Sequence, residues 1–124
     1  MTIEAQVREH IEGGTDKPVY MNRAPSGVDP PYIVQRLITK NNHGMGATQA
    51  RIQFDIFGKD PNGYGQAKGI SVSLNDTIFD LSESIDDIAG SYRVSEMETF
   101  DDSVNYYRII VDAMVYYDER ETFG

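Results

Sequence analysis

The sequence predicts an α+β domain: a mostly antiparallel sheet of about four to five strands with two helices packed on it, in the order α-β-β-β-α-β-β. Three observations carry that expectation. Tyr107, Ile109, Val111, Ala113, Val115 and Tyr117 stand at every second position, making one wholly apolar face of a long strand. Ile52, Phe54 and Ile56 alternate with Arg51, Gln53 and Asp55 in the same way. Between these runs, Ala67, Ile70, Leu74, Ile78 and Leu81 fall within about 80° of arc on a helix of 3.6 residues per turn.

Taken in order, the chain starts with a short amphipathic helix from Thr2 to Glu12. Ile3, Val7 and Ile11 form its stripe, Thr2 caps it, and Gly13-Gly14 is the expected stop. A short extended piece follows at Pro18-Val19-Tyr20-Met21. The loop from Asn22 to Pro31 is too rich in Pro and Gly for regular structure. A strand then runs from Tyr32 to about Lys40 and pairs antiparallel with a strand over Arg51 to Gly58. Setting Arg36 opposite Ile52, Val34 by Phe54, Tyr32 by Ile56 and Ile38 by Ala50 gathers nearly every apolar residue on one face. Arg36 then has to snorkel to the rim.

The connection between those strands, Asn41, Asn42, His43, Gly44, Met45, Gly46, Ala47 and Thr48, is polar, glycine-containing and far longer than a tight hairpin needs. It is expected to be a mobile loop spanning 40–49, or one that orders against a partner. From Asn62 to Leu81 two patterns compete. Ile70, Val72 and Leu74 also alternate as a strand would, but a span of roughly 15–20 residues favours the helix. Val72 and Phe79 lie off its apolar stripe and either widen the core face or offer a contact. A charged turn from Glu83 to Gly90, a strand from Tyr92 to Phe100 and a turn at Asp101-Asp102-Ser103 precede the last strand, Asn105 to Tyr117. That strand, apolar on one side and mixed on the other, belongs mid-sheet with a helix on its apolar face. Residues 118–124 are expected to be a polar, frayed tail, and 1–124 a single domain.

The chain has 124 residues, and 20 acidic against 11 basic residues give a net charge of −9, a surface that repels a phosphate backbone. With no cysteine, neither a disulfide framework nor a thiolate metal site is open to it. The N-terminus has no apolar signal-peptide core, and no run of roughly 18 apolar residues occurs, so a soluble chain that starts in the cytoplasm is expected.

Catalytic and cofactor sets are missing from the sequence. The two histidines, His10 and His43, have no neighbouring nucleophile or carboxylate in a recognised spacing. Gly63-Tyr64-Gly65 and Gly44-Met45-Gly46 do not extend to a dinucleotide fingerprint, and the first reads as a turn into the helix. The pairs Asp86-Asp87 and Asp101-Asp102 lack the ligand alternation of a calcium loop and read as solvated turns. The expectation is a protein that is not an enzyme, with no catalytic, metal or cofactor residues and no cofactor. Eight tyrosines accompany no tryptophan. Tyr106, Tyr107, Tyr116 and Tyr117 at the two ends of the last strand are either core or interface residues.

The ordered series of features resembles one family. An N-terminal helix leads to Pro18-Val19-Tyr20, a Pro-containing loop and Pro31-Tyr32-Ile33-Val34. A glycine-containing hairpin loop, Phe54-Asp55-Ile56-Phe57-Gly58, then Gly65-Gln66-Ala67 with Ile70 and Leu74, and finally Arg108-Ile109-Ile110-Val111-Asp112 complete it. From about Ile3 to Tyr117 this resembles the tail terminator, or tail completion (tail-to-head joining), proteins of long-tailed bacteriophages. Gly69-Ile70-Ser71-Val72-Ser73 departs from that family's richer use of Ala and Leu in the second helix.

The resemblance implies a structural virion protein at the head-proximal end of the tail, assembled in the host cytoplasm. It implies a hexameric ring of this chain that caps the tail tube protein, presents its other face to the head-side connector or stopper protein, and lets DNA pass without sequence-specific binding. No membrane is involved. Asn41 to Thr48 becomes the docking loop. The alternatives are another neck or minor tail protein, or an acidic DNA-mimic inhibitor.

Overall fold

In the computed structural model, which describes residues 2–42, 44, 46–59 and 61–118, two layers are formed. The chain runs α1 (Ile3–Thr15), β1 (Val19–Met21), β2 (Tyr32–Asn42), β3 (Ala47–Lys59), α2 (Gly63–Phe79), the single turn α3 (Leu81–Ser84), β4 (Ile88–Asp101) and β5 (Tyr106–Asp118). The five strands form one sheet in the order β1-β2-β3-β5-β4. Every pairing is antiparallel except that of β1 with β2. This is the α+β class and element order expected, with β5 inside the sheet between β3 and β4.

The first helix starts where the threonine places it. Thr2 keeps an extended backbone and its side chain accepts from Ala5 N–H at 3.1 Å. It does not stop at the glycine pair. The helix runs through Gly13-Gly14 to Thr15, and Asp16 takes the left-handed conformation (φ 57°) that ends it. Packing explains the difference. A Cβ on Gly14 would collide with the Thr77 side chain of α2, so the glycine serves the close approach of two helices. Thr15 turns its hydroxyl back to the Ile11 carbonyl at 2.7 Å, which keeps it compatible with burial.

The register of β2 on β3 differs from the expectation by one residue. Tyr32 faces Phe57, Val34 faces Asp55 and Arg36 faces Gln53, while Ile33 faces Ile56, Gln35 faces Phe54 and Leu37 faces Ile52. A bulge between Leu37 and Thr39 then shifts the ladder again. The helix-covered face of β2 is therefore Ile33 and Gln35, not Tyr32, Val34 and Arg36. Its first four residues are all buried, on both faces, so alternation cannot choose between them. Gln35 is tolerated in the core because its Nε2 donates to the Glu4 carbonyl of α1 at 2.9 Å.

The core lies between the sheet and the helices. It joins Ile3, Val7 and Ile11 of α1 and Ala67, Ile70, Leu74 and Ile78 of α2 to Ile52, Phe54, Ile56, Ile109, Val111, Ala113 and Val115 of the two central strands. The helix reading of the second periodic segment holds, and Leu81 extends its stripe into α3. Val72 and Phe79 do not widen the core: they are 63% and 59% exposed. At the β3–α2 corner, a Cβ on Gly58 would strike the Gly63 carbonyl, so the turn into the helix closes backbone against backbone. The segment expected to be a charged turn from Glu83 to Gly90 includes the end of α3 and the start of β4.

Candidate interaction surface

Among the described residues, the helices cover one face of the sheet and leave the other without a helix. Register assigns Tyr32, Val34 and Arg36 of β2 to that open face. Arg51, Gln53, Asp55 and Phe57 of β3 join them. So do Tyr106, Arg108, Ile110, Asp112, Met114 and Tyr116 of β5, and Tyr92, Ser95, Met97 and Thr99 of β4. An antiparallel sheet tolerates one wet face, normally by polar alternation. This face instead carries an ionic centre between two apolar regions.

Asp55 is the centre. Its carboxylate is fully buried, accepting from Arg36 Nη1 at 3.0 Å, Arg108 Nη2 at 2.6 Å and Gln53 Nε2 at 2.8 Å. Beside it Arg51 Nη2 donates to Asp112 at 2.7 Å, and the Ser95 hydroxyl reaches the same oxygen at 3.3 Å. Three guanidiniums thus share two carboxylates. The Nε of Arg108 and the other Asp112 oxygen are buried without a hydrogen-bond partner among the described residues. An aromatic chain flanks this centre: Tyr20 to Tyr32 at 5.8 Å, Tyr32 to Phe57 at 5.1 Å, and Phe57 to Tyr106 at 6.4 Å, with the Arg108 guanidinium 5.7 Å over Phe57. Burial holds the Tyr32 phenol above its ordinary pKa.

On the other flank Tyr92 and Tyr116 stack at 6.1 Å. A hydrogen bond between their hydroxyls raises the pKa of Tyr116. Ile110 and Met114 lie beside them, and Met97 is 60% exposed. The tyrosine ends of β5 therefore divide by face. Tyr117 is buried under the helices and Tyr107 meets Tyr64 and Phe100 on that side, while Tyr106 and Tyr116 belong to the open face.

β4 is an edge strand. Its helix side is clipped rather than buried: Lys68 of α2 contacts Glu96 at 3.1 Å and Glu98 at 2.8 Å, and the Ser71 hydroxyl donates to Glu96. The Ser71 hydrogen bond, then Lys68, hold the Glu96 carboxyl below its ordinary range against the opposing effect of burial. The hydrogen bonds to Glu98 and Glu96 hold the Lys68 ammonium above its ordinary value. Two register shifts, at Ile88/Gly90 and Arg93/Ser95, interrupt the ladder to β5.

The expected docking loop is shorter than its eight residues. Asn41 pairs with Gln49 and Asn42 with Thr48, so Asn41, Asn42, Ala47 and Thr48 are strand residues, and the 40–49 span is mostly a β-ribbon. Gly44 and Gly46 take positive φ (85° and 87°) at the tip, where Ala47 N–H closes onto the Gly44 carbonyl at 3.1 Å. His43 and Met45 lie outside the described residues, as does the expected tail beyond Asp118, which itself ends β5. His10 sits on α1 with Nε2 3.7 Å from Asp80, away from the open face. Among the described residues no cluster of three or more His, Asp or Glu side chains has metal-binding geometry, and no helix is long and apolar enough to cross a membrane. The sequence did not single out the open face, because its ionic centre depends on the register.

No family model matches the chain, and no curated protein matches it. Among solved structures, the fold is similar to that of a chain in the virion of a native gene transfer agent particle. The TM-score is 0.67, with 94% of each chain covered and 13% of residues identical. That likeness is one of fold, and it spans nearly the whole of both chains.

Proposed function

We propose that this chain is a structural component of a phage-type particle: a tail terminator that closes into a ring, hexameric by the family resemblance, caps the tail tube and joins it to the head-side connector. The observation that carries the reading is the near-complete, two-way fold likeness to a virion chain, 94% of each. It agrees with the order of elements on which the resemblance to tail completion proteins rests. The chain acts by contact, not by catalysis, and its place is the head-proximal end of the tail.

Electrostatics suit the role. Six copies at −9 carry about −54 around a channel that DNA must traverse, and a like-charged wall keeps phosphates from sticking. A DNA-mimic inhibitor is less well supported. Mimicry requires regular rows of free carboxylates, whereas Glu96 and Glu98 are tied to Lys68 and Asp55 is enclosed by two arginines.

Light scattering with electron microscopy, on the chain alone and mixed with purified tail tubes, tests the proposal. Rings of about six subunits, or density closing one end of the tube, are expected. A chain that stays monomeric, leaves tube ends open and instead binds a nuclease overturns it.

A further inference from the structure

A closed ring needs two different patches on each chain that fit one another. Resting on the ring reading, we propose which two: the helix-side corner around Phe79 docks on the open sheet face of a second copy of this chain, against Tyr92, Met97 and Ile110.

The donor patch is unusual for a helix surface. α2 turns Val72 and Phe79 to solvent seven positions apart, about two turns along one side. Phe79 lines a surface recess of about 420 Å³ whose other walls are Asp76, Thr77, Asp80 and Glu83. An aromatic ring is thus framed by three carboxylates. The receiving patch has the opposite character. Tyr92, Met97, Ile110 and Met114 form an apolar floor beside three arginines that share two carboxylates, leaving one positive charge in excess. Each of those arginines keeps about a third or more of its side chain exposed.

Charge therefore pairs the two patches: an exposed aromatic ring with an acidic rim against an apolar floor with a basic margin. Because the patches lie on opposite sides of the sheet, each copy offers its corner to one neighbour and its sheet face to the other. That is a heterologous contact, the kind that closes into rings. Edge-to-edge strand addition is the weaker arrangement. β4 carries two bulges and the charged residues Arg93, Glu96 and Glu98, features that blunt an edge.

The absence of cysteine makes the test direct. The full chain carrying Phe79→Cys and Met97→Cys together is treated with a short bis-maleimide, with and without tail tubes. Both positions are exposed, so the core is untouched, and the sheet separates them within one chain. The expected product is a covalent ladder ending at a closed ring, with neither single variant producing one. A second chain, Ile38→Cys with Val94→Cys, reports edge pairing. If rings form but only this edge pair yields the ladder, the proposed contact is overturned and the ring reading stands. If no assembly or cross-link forms even with tail tubes, both fall.

Discussion

At the scale of single residues, two neighbouring glycines behave oppositely although helix propensity treats them alike. A Cβ on Gly13 meets nothing within 4 Å, so Gly13→Ala should stabilise the fold by about 0.5–1 kcal/mol through helix propensity. A Cβ on Gly14 runs into the Thr77 side chain, so Gly14→Ala should cost about 1–3 kcal/mol despite the same propensity gain. Adding Thr77→Ala should recover most of that loss, and thermal or urea unfolding of the three variants measures it. Glu96 makes a pH prediction. Its carboxyl is held below the ordinary range by Ser71 and Lys68, so the clip from α2 to β4 contributes stability above the unfolded value of about 4.3 and loses it as pH falls through the folded value. Lys68 is raised, so its share is complete below about 10.4 and is lost as pH rises through its folded value. Glu96→Gln should therefore melt below wild type at neutral pH and converge with it in acid. A difference in melting temperature that stays constant down to pH 3 would contradict this account.

Among the secondary-structure elements, the strands and helices were legible because their periodicities are long and uninterrupted: β5 at period 2, α2 at 3.6, and α1 with its cap. What stayed hidden was pairing. β2 begins with Tyr32, Ile33, Val34 and Gln35 all buried, and a strand buried on both faces gives the sequence no face to choose. The assumption that apolar residues share a face then misplaced Arg36, and the bulge after Leu37 compounded the error. With the true register, Arg36 needs no snorkel to a rim, because it belongs beside Asp55 on the open face. The extent of the hairpin was missed for a related reason. Asn41 and Asn42 have weak strand preference, and their ladder forms because β3 continues on β5 through Ala47↔Asp118. The open-face network is testable at this scale. Asp55→Asn keeps the shape and removes the charge that Arg36 and Arg108 converge on. It should cost about 2–3 kcal/mol, less than the roughly 3–5 of a fully buried pair because both arginines reach solvent. Arg36→Leu with Asp55→Asn should lose less than the sum of the separate changes, since the residues share one network.

For the whole molecule, most of the buried core lies apart from the exposed groups proposed for assembly, with the buried Asp55 network of the open face as the exception. The core belongs to the helices and the covered sheet face, the contacts proposed for the ring belong to the open face and the Phe79 corner, and docking to neighbouring parts is assigned to the β2–β3 tip. Exposed groups are removable without unfolding, because few buried atoms depend on them. The tip lets that separation be tested. Trimming Asn41 to Thr48 as a unit would also remove the pairs Asn41↔Gln49 and Asn42↔Thr48, and with them the buried Thr48. The cleaner variant replaces 43–47 by Asn-Gly, a two-residue turn directly between the paired Asn42 and Thr48. Its far-ultraviolet circular dichroism should be unchanged and its melting temperature should move by only a few degrees, about what 1 kcal/mol produces in a domain of this size. If the tip docks the ring onto its tail-tube or connector neighbour, the same variant should still form rings by light scattering yet leave tails unjoined to heads in electron micrographs. Joining at the wild-type level would remove the tip from the docking surface, and loss of the rings themselves would place it within the subunit contact instead.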